Sequence, residues 1–223
     1  MVHQIIKGRY GVFVESFIIA IVIFLIGFSF GFFLENLRLN KIIDNYRDNE
    51  IGALDLKLQN YYYQIMNDNQ CGFAVEQNFI FADKIYKEGL ELEKYEEASQ
   101  ISDSIRIEKK RYVLLKTELW LNSLLLKKKC NNPFDTLVYF YSDDTSNPII
   151  TSKQKMISNT LLDLKEERGN QIILLPIAGD LDLDIVNLQR NSYNITFLPT
   201  ILINEKYILT DFNSKEDIKK YLN

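Results

Sequence analysis

The run "SFIIAIVIFLIGFSFGFFL", Ser16 to Leu34, holds 19 residues without a charge. A bilayer hydrocarbon core is about 30 Å thick and takes about 20 such residues as a helix. A cleaved signal peptide is the competing reading. Its apolar run is normally about 7–15 residues, with small residues at the cleavage site. This run is longer and rich in phenylalanine. It therefore reads as a retained membrane anchor with a short flank, 1–15, ahead of it. Lys7 and Arg9 precede the run, and Arg38, Lys41 and Arg47 follow it. The basic residues do not orient the segment, and long domains translocate largely regardless of charge. An N-terminal anchor followed by about 190 residues implies a cytoplasmic N-terminus and an extracytoplasmic C-terminal domain. Gly27 and Gly31 have the small-xxx-small spacing that lets two membrane helices approach closely. Packing against a second copy or another subunit is one reading; the general frequency of glycine in such spans is the other.

Residues 35–132 read as a helical spacer. Ile51, Leu54, Leu58, Tyr61 or Tyr62, and Ile65 recur at spacings of three and four, the signature of one apolar helix face. "NDNQ", 67–70, breaks that helix. A second begins near Cys71 with Val75, Phe79, Ala82 and Leu92 in phase. A third opens at "SDSIRIE", with Ser102 or Asp103 as N-cap. It places Ile105, Tyr112, Leu115, Leu119 and Leu126 inward and stops at "CNNP". The segment forms an antiparallel hairpin or three-helix bundle, its first helix continuous with the span. "LLLKKKC" puts three lysines at the end of the third helix, where the helix dipole favours them as solvated surface. The net charge of −4 and the lack of a basic stripe argue against nucleic acid as a partner.

Cys71 opens one of these helices and Cys130 closes another, so antiparallel packing brings them together. A disulfide here closes a loop of about 60 residues, contributes about 4 kcal/mol in the chain-entropy account, and belongs to an oxidising compartment. Two reduced, buried cysteines acting as small hydrophobes are the alternative.

From Pro133 to Asn223 the pattern changes. "DTLVYFY", 135–141, reads as a buried strand. Pro148 opens a helix that Gly169 ends. "QIILLPIA", 171–178, is a second strand, "DLDIVNLQRNSY" a short helix, "PTILIN" and "KYILTDF" two more strands. Asn204-Glu205 joins the last pair as an imperfect Asn-Gly hairpin turn. A closing helix follows, with Ser214 as cap and Asp217 at the capping-box position. The order is β-α-β-α-β-β-α. Its first two strands are joined by a crossover helix and therefore parallel. The whole chain is α+β: membrane helix, helical bundle, then a four-stranded mixed sheet with helices on both faces.

"LVYFYS", the acidic "AGDLDLD" and "YNITFLPTILIN", in this order and spacing, resemble the thioredoxin fold family. Tyr193, Ile195, Pro199 and Thr200 match the family's tyrosine–x–valine/isoleucine, then proline-threonine, pattern. The resemblance covers about residues 134–223. The overall plan is also similar to membrane-anchored archaeal proteins that carry a helical segment before a thioredoxin-like domain. The resemblance implies a cis Pro199 beside a groove for an extended substrate. It also implies a Cys-x-x-Cys loop after the first strand, whose thiolate attacks and whose second thiol resolves. Here that loop reads "YSDDTSNPIITSK" and holds no cysteine. With Gln154 as register mark, the two cysteine positions fall on Pro148 and Thr151.

Other chemistry is thin. Asp143, Asp144, Thr145 and Ser146 cluster, but the one histidine is His3, ahead of the span. That removes Ser-His-Asp and Cys-His sites from the soluble part. Asp180, Asp182 and Asp184 alternate without the glycine and distal glutamate of an EF-hand loop. They read instead as a solvated turn with an aspartate at the helix cap. No metal or cofactor is expected. Asn194-Ile195-Thr196 is a glycosylation sequon. The leading expectation is a redox-inactive, membrane-anchored binding or scaffolding module. Its candidate groove comprises Tyr141, Asp143, Asp144, Phe197, Leu198, Pro199 and Thr200, and an extended peptide of a protein partner pairs beside the Pro199 strand. The alternative is a thiol-disulfide oxidoreductase or isomerase subunit that uses Cys71 and Cys130 or a partner's thiols. A structural subunit packed through Gly27 and Gly31 is the third.

Overall fold

The computed structural model describes residues 11–98, 103–144, 146–211 and 214–222. His3, Lys7, Arg9, Ser102 and Thr145 lie outside the described residues, as do the side chains of Arg38, Lys41, Arg47 and Asp103. Two units are distinguished, the chain up to Gly52 and the chain from Ala53 onward.

Helix α1 runs Gly11–Ile65. Within it Phe13–Leu34, 22 residues, is long and apolar enough to cross a membrane, and its side chains are exposed throughout. No side chain comes within 4 Å of a Cβ added at Gly27 or Gly31.

In the second unit, α1 ends at Ile65, a 3₁₀ turn spans Asp68–Gln70, and α2 (Cys71–Ala98) and α3 (Asp103–Lys129) follow. The chain continues through β1 (Asp135–Tyr141), α4 (Pro148–Arg168), β2 (Ile172–Ala178), α5 (Asp184–Ser192), β3 (Thr200–Ile203), β4 (Tyr207–Leu209) and α6 (Lys215–Lys219). The fold is mixed α+β around a four-stranded sheet ordered β2-β1-β3-β4. β1 lies parallel to β2, with Leu137 opposite Leu174, and antiparallel to β3, with Val138 opposite Leu202. β3 and β4 form the antiparallel hairpin, Leu202 opposite Ile208. β2 is an edge strand, and Pro176 within it suits an edge, where a missing N–H donor is tolerated.

Helices cover both faces. α4 and α6 bring Ile157, Leu161, Leu164 and Ile218 onto Leu137, Tyr139, Ile172, Ile201 and Ile203. On the other face Val138, Phe140, Ile173, Leu175, Ile177 and Leu202 join Leu119, Trp120 and Leu126 of α3 and Val186 of α5. Leu56 and Tyr63 of α1 and Phe79 of α2 belong to the same core. The segment expected as a spacer is thus a layer of the sheet domain.

Four local expectations are corrected. The apolar face read on α1 is not the one that packs in the domain: Ile51 is 67%, Leu58 57% and Ile65 78% accessible, while Leu56, Tyr63 and Met66 do the packing. The lysines at the end of α3 are not all solvated surface. Lys127 is 7% exposed, and Lys129 Nζ donates to the carbonyls of Tyr63, Gln64 and Met66 at 2.8–2.9 Å. That ammonium satisfies carbonyls at the C-terminus of α1, which lack intrahelical partners. Leu183, not an aspartate, is the N-cap of α5, with Asp184 in the first turn. Ser214 caps α6 by position but makes no side-chain cap hydrogen bond.

The hairpin turn shows how an imperfect Asn-Gly signal is accommodated. Asn204 and Glu205 both have positive φ, 49° and 55°, as a type I′ turn requires. Glutamate is costly there for want of glycine's freedom. Its carboxylate is held on both oxygens: Trp120 Nε1 and the Thr136 hydroxyl donate to Oε1 at 2.9 and 2.6 Å, and Lys127 Nζ to Oε2 at 3.1 Å. Asn204 Oδ1 accepts from Lys127 Nζ and Thr136 N at 2.7 and 3.1 Å.

Candidate functional site

The carboxyl ends of β1 and β2 lie side by side, the end of an α/β sheet where ligands commonly bind. Three segments meet there: 142–147 after β1, 179–183 after β2, and 193–199 before β3. Gly179 N donates to Tyr141 O at 2.8 Å, joining the first two. A Cβ on Gly179 would sit 3.0 Å from Leu198 Cδ2, so this glycine permits the close approach of the third.

Asp180 organises the loop after β1. Its Oδ1 accepts from Asp143 N at 2.7 Å, and its Oδ2 from Asp144 N at 3.3 Å and from the Ser142 hydroxyl. Asp144 in turn accepts from Ser146 N at 2.8 Å and the Ser146 hydroxyl at 2.9 Å. Those bonds favour the charged form and hold the Asp144 carboxyl below the ordinary aspartate range. Asn147 Oδ1 caps α4 at Ile149 N, 3.0 Å, and Pro148 occupies the first helical turn. Gln154 clamps the loop from the helix, accepting from Ser142 N at 2.6 Å and donating to Ser142 O at 3.0 Å. Pro148 and Thr151, the positions at which the resemblance would place cysteines, fall in the first turn of α4, where the Thr151 hydroxyl donates to Asn147 O at 3.0 Å.

The sequence-derived groove residues divide by burial. Asp143 is half-buried and ion-paired with Lys109 Nζ at 2.7 Å, and Asp144 is exposed. Phe197 is 73% exposed, while Phe140 is wholly buried in the core. Leu198 is half-buried against the core. Pro199 is buried, and the Leu198–Pro199 peptide is cis, as the resemblance implies. Thr200 is 2% exposed and donates its hydroxyl to Phe197 O at 2.7 Å, so it shapes the 197–200 turn instead of lining a surface. Because β3 lies between β1 and β4, its own backbone is taken. The stretch ahead of it, around Phe197 and Leu198, lies outside the ladder.

Tyr141 is half-buried beneath this end. Burial, reinforced by the Asp143 charge, pushes its hydroxyl well above the ordinary tyrosine range. Lys116 of α3 lies close by, 3% exposed, its Nζ 4.2 Å from the Tyr112 ring centre and 5.9 Å from that of Tyr141. Burial drives its pKa from 10.5 down to about 7. Sequence reading missed Lys116 because a lysine within a helix reads as surface. It missed the organising role of Asp180 because the alternation with Asp182 and Asp184 suggested a solvated turn. Among the described residues no group of three metal-ligating side chains occurs.

The two cysteines are bonded to each other, Cys71 at the start of α2 and Cys130 just after α3, 59 positions apart with Cα atoms 5.6 Å apart. Lys129, next to Cys130, makes the α1 contacts described above. Asn194 is exposed, with φ 54°, in the turn after α5.

No protein-family model matches the chain, and no curated protein matches it. A solved structure described as that of a malarial protein is 23% identical over 40% of this chain and 99% of that one, with a TM-score of 0.30. At that score the likeness assigns no fold.

Proposed function

We propose that the chain is a single-pass membrane protein whose thioredoxin-like domain is a redox-inactive binding or scaffolding module on the extracytoplasmic side, with a cytoplasmic N-terminus. The observation that carries this reading is Phe197, 73% exposed beside Pro199, facing solvent next to a loop built from serine and aspartate where the family has thiols. An exposed aromatic next to backbone that lies outside the sheet ladder suits an extended peptide that docks one side chain and pairs its main chain over a short stretch. Support for the fold family comes from the strand senses, β1 parallel to β2 and antiparallel to β3, and from the helices on both faces. Support for the external side comes from the Cys71–Cys130 bond, which belongs in an oxidising compartment.

A photoreactive residue at position 197 of the full chain, in membranes of the source cells, should give a discrete protein adduct, and the same probe at exposed Leu162 should not. Equal labelling at both positions, or none at 197, defeats the binding reading. Protease digestion of the C-terminal domain in sealed cells tests the sidedness; protection until the membrane is permeabilised reverses it. Insulin reduction by the purified protein that is lost in Cys71→Ser would establish the oxidoreductase reading instead.

A further inference from the structure

Helix α1 has two apolar faces, and its own domain uses one. Leu56, Tyr63 and Met66 are 0–5% exposed in the core. On the opposite side Leu54, Leu58, Tyr61, Tyr62 and Ile65 are 47–78% exposed. The spacing 54, 58, 61, 65 is four, three, four, which places these residues at alternating d and a positions of a heptad; Ile51 is the preceding a. So narrow a stripe fits the seam of another helix better than a broad surface. Isoleucine at a with leucine at d favours two parallel strands. Ile51 and Ile65 at a and Leu54 at d follow that pattern, while Leu58 at a and Tyr61 at d depart from it.

The occupant follows from area and orientation. The stripe offers on the order of 400 Å² of apolar surface, judged from what such side chains bury. That is already within the range of the largest patch a monomer usually exposes. Matched by an identical stripe it reaches roughly 800 Å², short of a standard free-standing interface. A pair of this size becomes stable when its members are held at high effective concentration. The apolar segment Phe13–Leu34 at the start of the same helix supplies that condition for copies of this chain and sets them parallel. We propose that a second copy of this chain covers the stripe, forming a parallel two-stranded coiled coil over residues 50–65. In that register Lys57, at g, meets the second copy's aromatic e position, Tyr62. Glu50, at g, meets the acidic e position, Asp55, a like-charge contact that keeps the pair weak.

The test uses the full chain carrying Leu58→Cys in phosphatidylcholine vesicles under mild oxidation. Dimer cross-linking is expected there and not with Asp83→Cys on exposed α2. Adding Tyr61→Glu should lower the cross-linked fraction at least fivefold, and adding Asp55→Lys should raise the cross-linking rate severalfold. These side chains are exposed, so an unchanged thermal midpoint verifies folding in each variant. Equal cross-linking at 58 and 83, no cross-linking at 58, or indifference to Tyr61→Glu overturns the proposal. Loss of all cross-linking with Gly27→Leu while Tyr61→Glu has no effect assigns pairing to the membrane segment and also overturns it.

Discussion

The two faces of the sheet are built by different rules. Under α4 and α6 the buried contacts are mostly apolar: Leu164 and Ile218 are wholly buried, with Leu161, Ile157 and Ile203 beside them. Under α3 the buried set includes Lys116, Thr117, Asn122, Ser123 and Lys127, each less than a tenth exposed. Asn122 accepts from Asn60 Nδ2 at 2.6 Å and donates to Leu56 O at 3.1 Å. Ser123 donates to Leu119 O at 2.7 Å and accepts from Asn78 Nδ2 at 3.0 Å. Lys127 reaches across to the β3–β4 turn. The first face is held by area removed from water, which is non-directional. The second also depends on pairing its buried polar groups, and an orphaned partner costs more than the pair contributes.

The largest expected effect tests that asymmetry. Lys127→Ala leaves the Glu205 carboxylate, 14% exposed, without its cation and should destabilise the protein by about 3–5 kcal/mol. Combining Lys127→Met with Glu205→Gln removes both charges and keeps a side-chain oxygen to accept from Trp120 Nε1 and the Thr136 hydroxyl. Part of the loss should then be recovered. Trp120, the one tryptophan, is buried against this network, so its fluorescence follows unfolding. A double variant as unstable as Lys127→Ala would show that the pair contributes more than it costs.

Leu164→Ala, on the apolar face, should cost about 2–5 kcal/mol through lost transfer energy and the cavity left behind. No polar partner is orphaned, so the loss should not be cancelled by deleting a neighbour. If Leu164→Ala is recovered by a second truncation at Leu137, the two faces do not differ in kind.

That difference is why the chain is unevenly legible. β1, α4 and β2 can be placed from sequence within about one residue because the two strands are near-continuous apolar runs, and Pro148 and Gly169 mark the ends of α4. α3 was found as a helix, with Leu115, Leu119 and Leu126 inward, but its second buried face went unseen. Lys116, Asn122 and Lys127 interrupt the apolar period, and the partners of Asn122 and Lys127 lie far along the chain. The inversion of α1 has the same origin. A clean three-and-four spacing marks an apolar face without saying whether the domain packs on it, and here the domain uses Leu56 and Tyr63 instead. At the candidate site, Pro199 and the thiol-free loop were legible as local patterns. The bonds from Asp180 to the 142–144 loop were not, because they depend on two parallel strands ending together.

Lys116 gives the polar face a pH signature. Folding lowers its pKa from 10.5 to about 7, so between these values the unfolded chain binds the additional proton. Stability should therefore rise with pH from about 7 toward 10, by about 1 kcal/mol per pH unit from this group. Above pH 10 the buried Tyr63 hydroxyl, pushed up to about 12, acts in the opposite sense. It stays protonated in the fold while the unfolded chain ionises, and that contribution is lost as pH climbs. Lys116→Met should flatten the rise between pH 7 and 10 and stabilise the protein at pH 7. An unchanged slope in urea titrations at pH 7, 8 and 9 would show that Lys116 remains charged in the fold.

Gly89→Ala should have the smallest effect and sharpens where the polar side begins. A Cβ at Gly89 of α2 would stand 2.0 Å from Tyr112 Oη and 2.7 Å from Cζ, so the ring must move. Overpacking typically costs about 1–3 kcal/mol, and replacing a helical glycine by alanine returns about 1 kcal/mol. The net loss should be about 1 kcal/mol. Tyr112 also lies beneath the Lys116 ammonium, so displacing its ring removes an attraction that favours the charged lysine. The Gly89→Ala protein should therefore show a steeper rise in stability above pH 7 as well as a lower midpoint. Tyr112→Phe deletes the nearest atom and should relieve part of the clash. A Gly89→Ala loss that is the same in the Tyr112→Phe background would place the strain elsewhere in the α2–α3 contact.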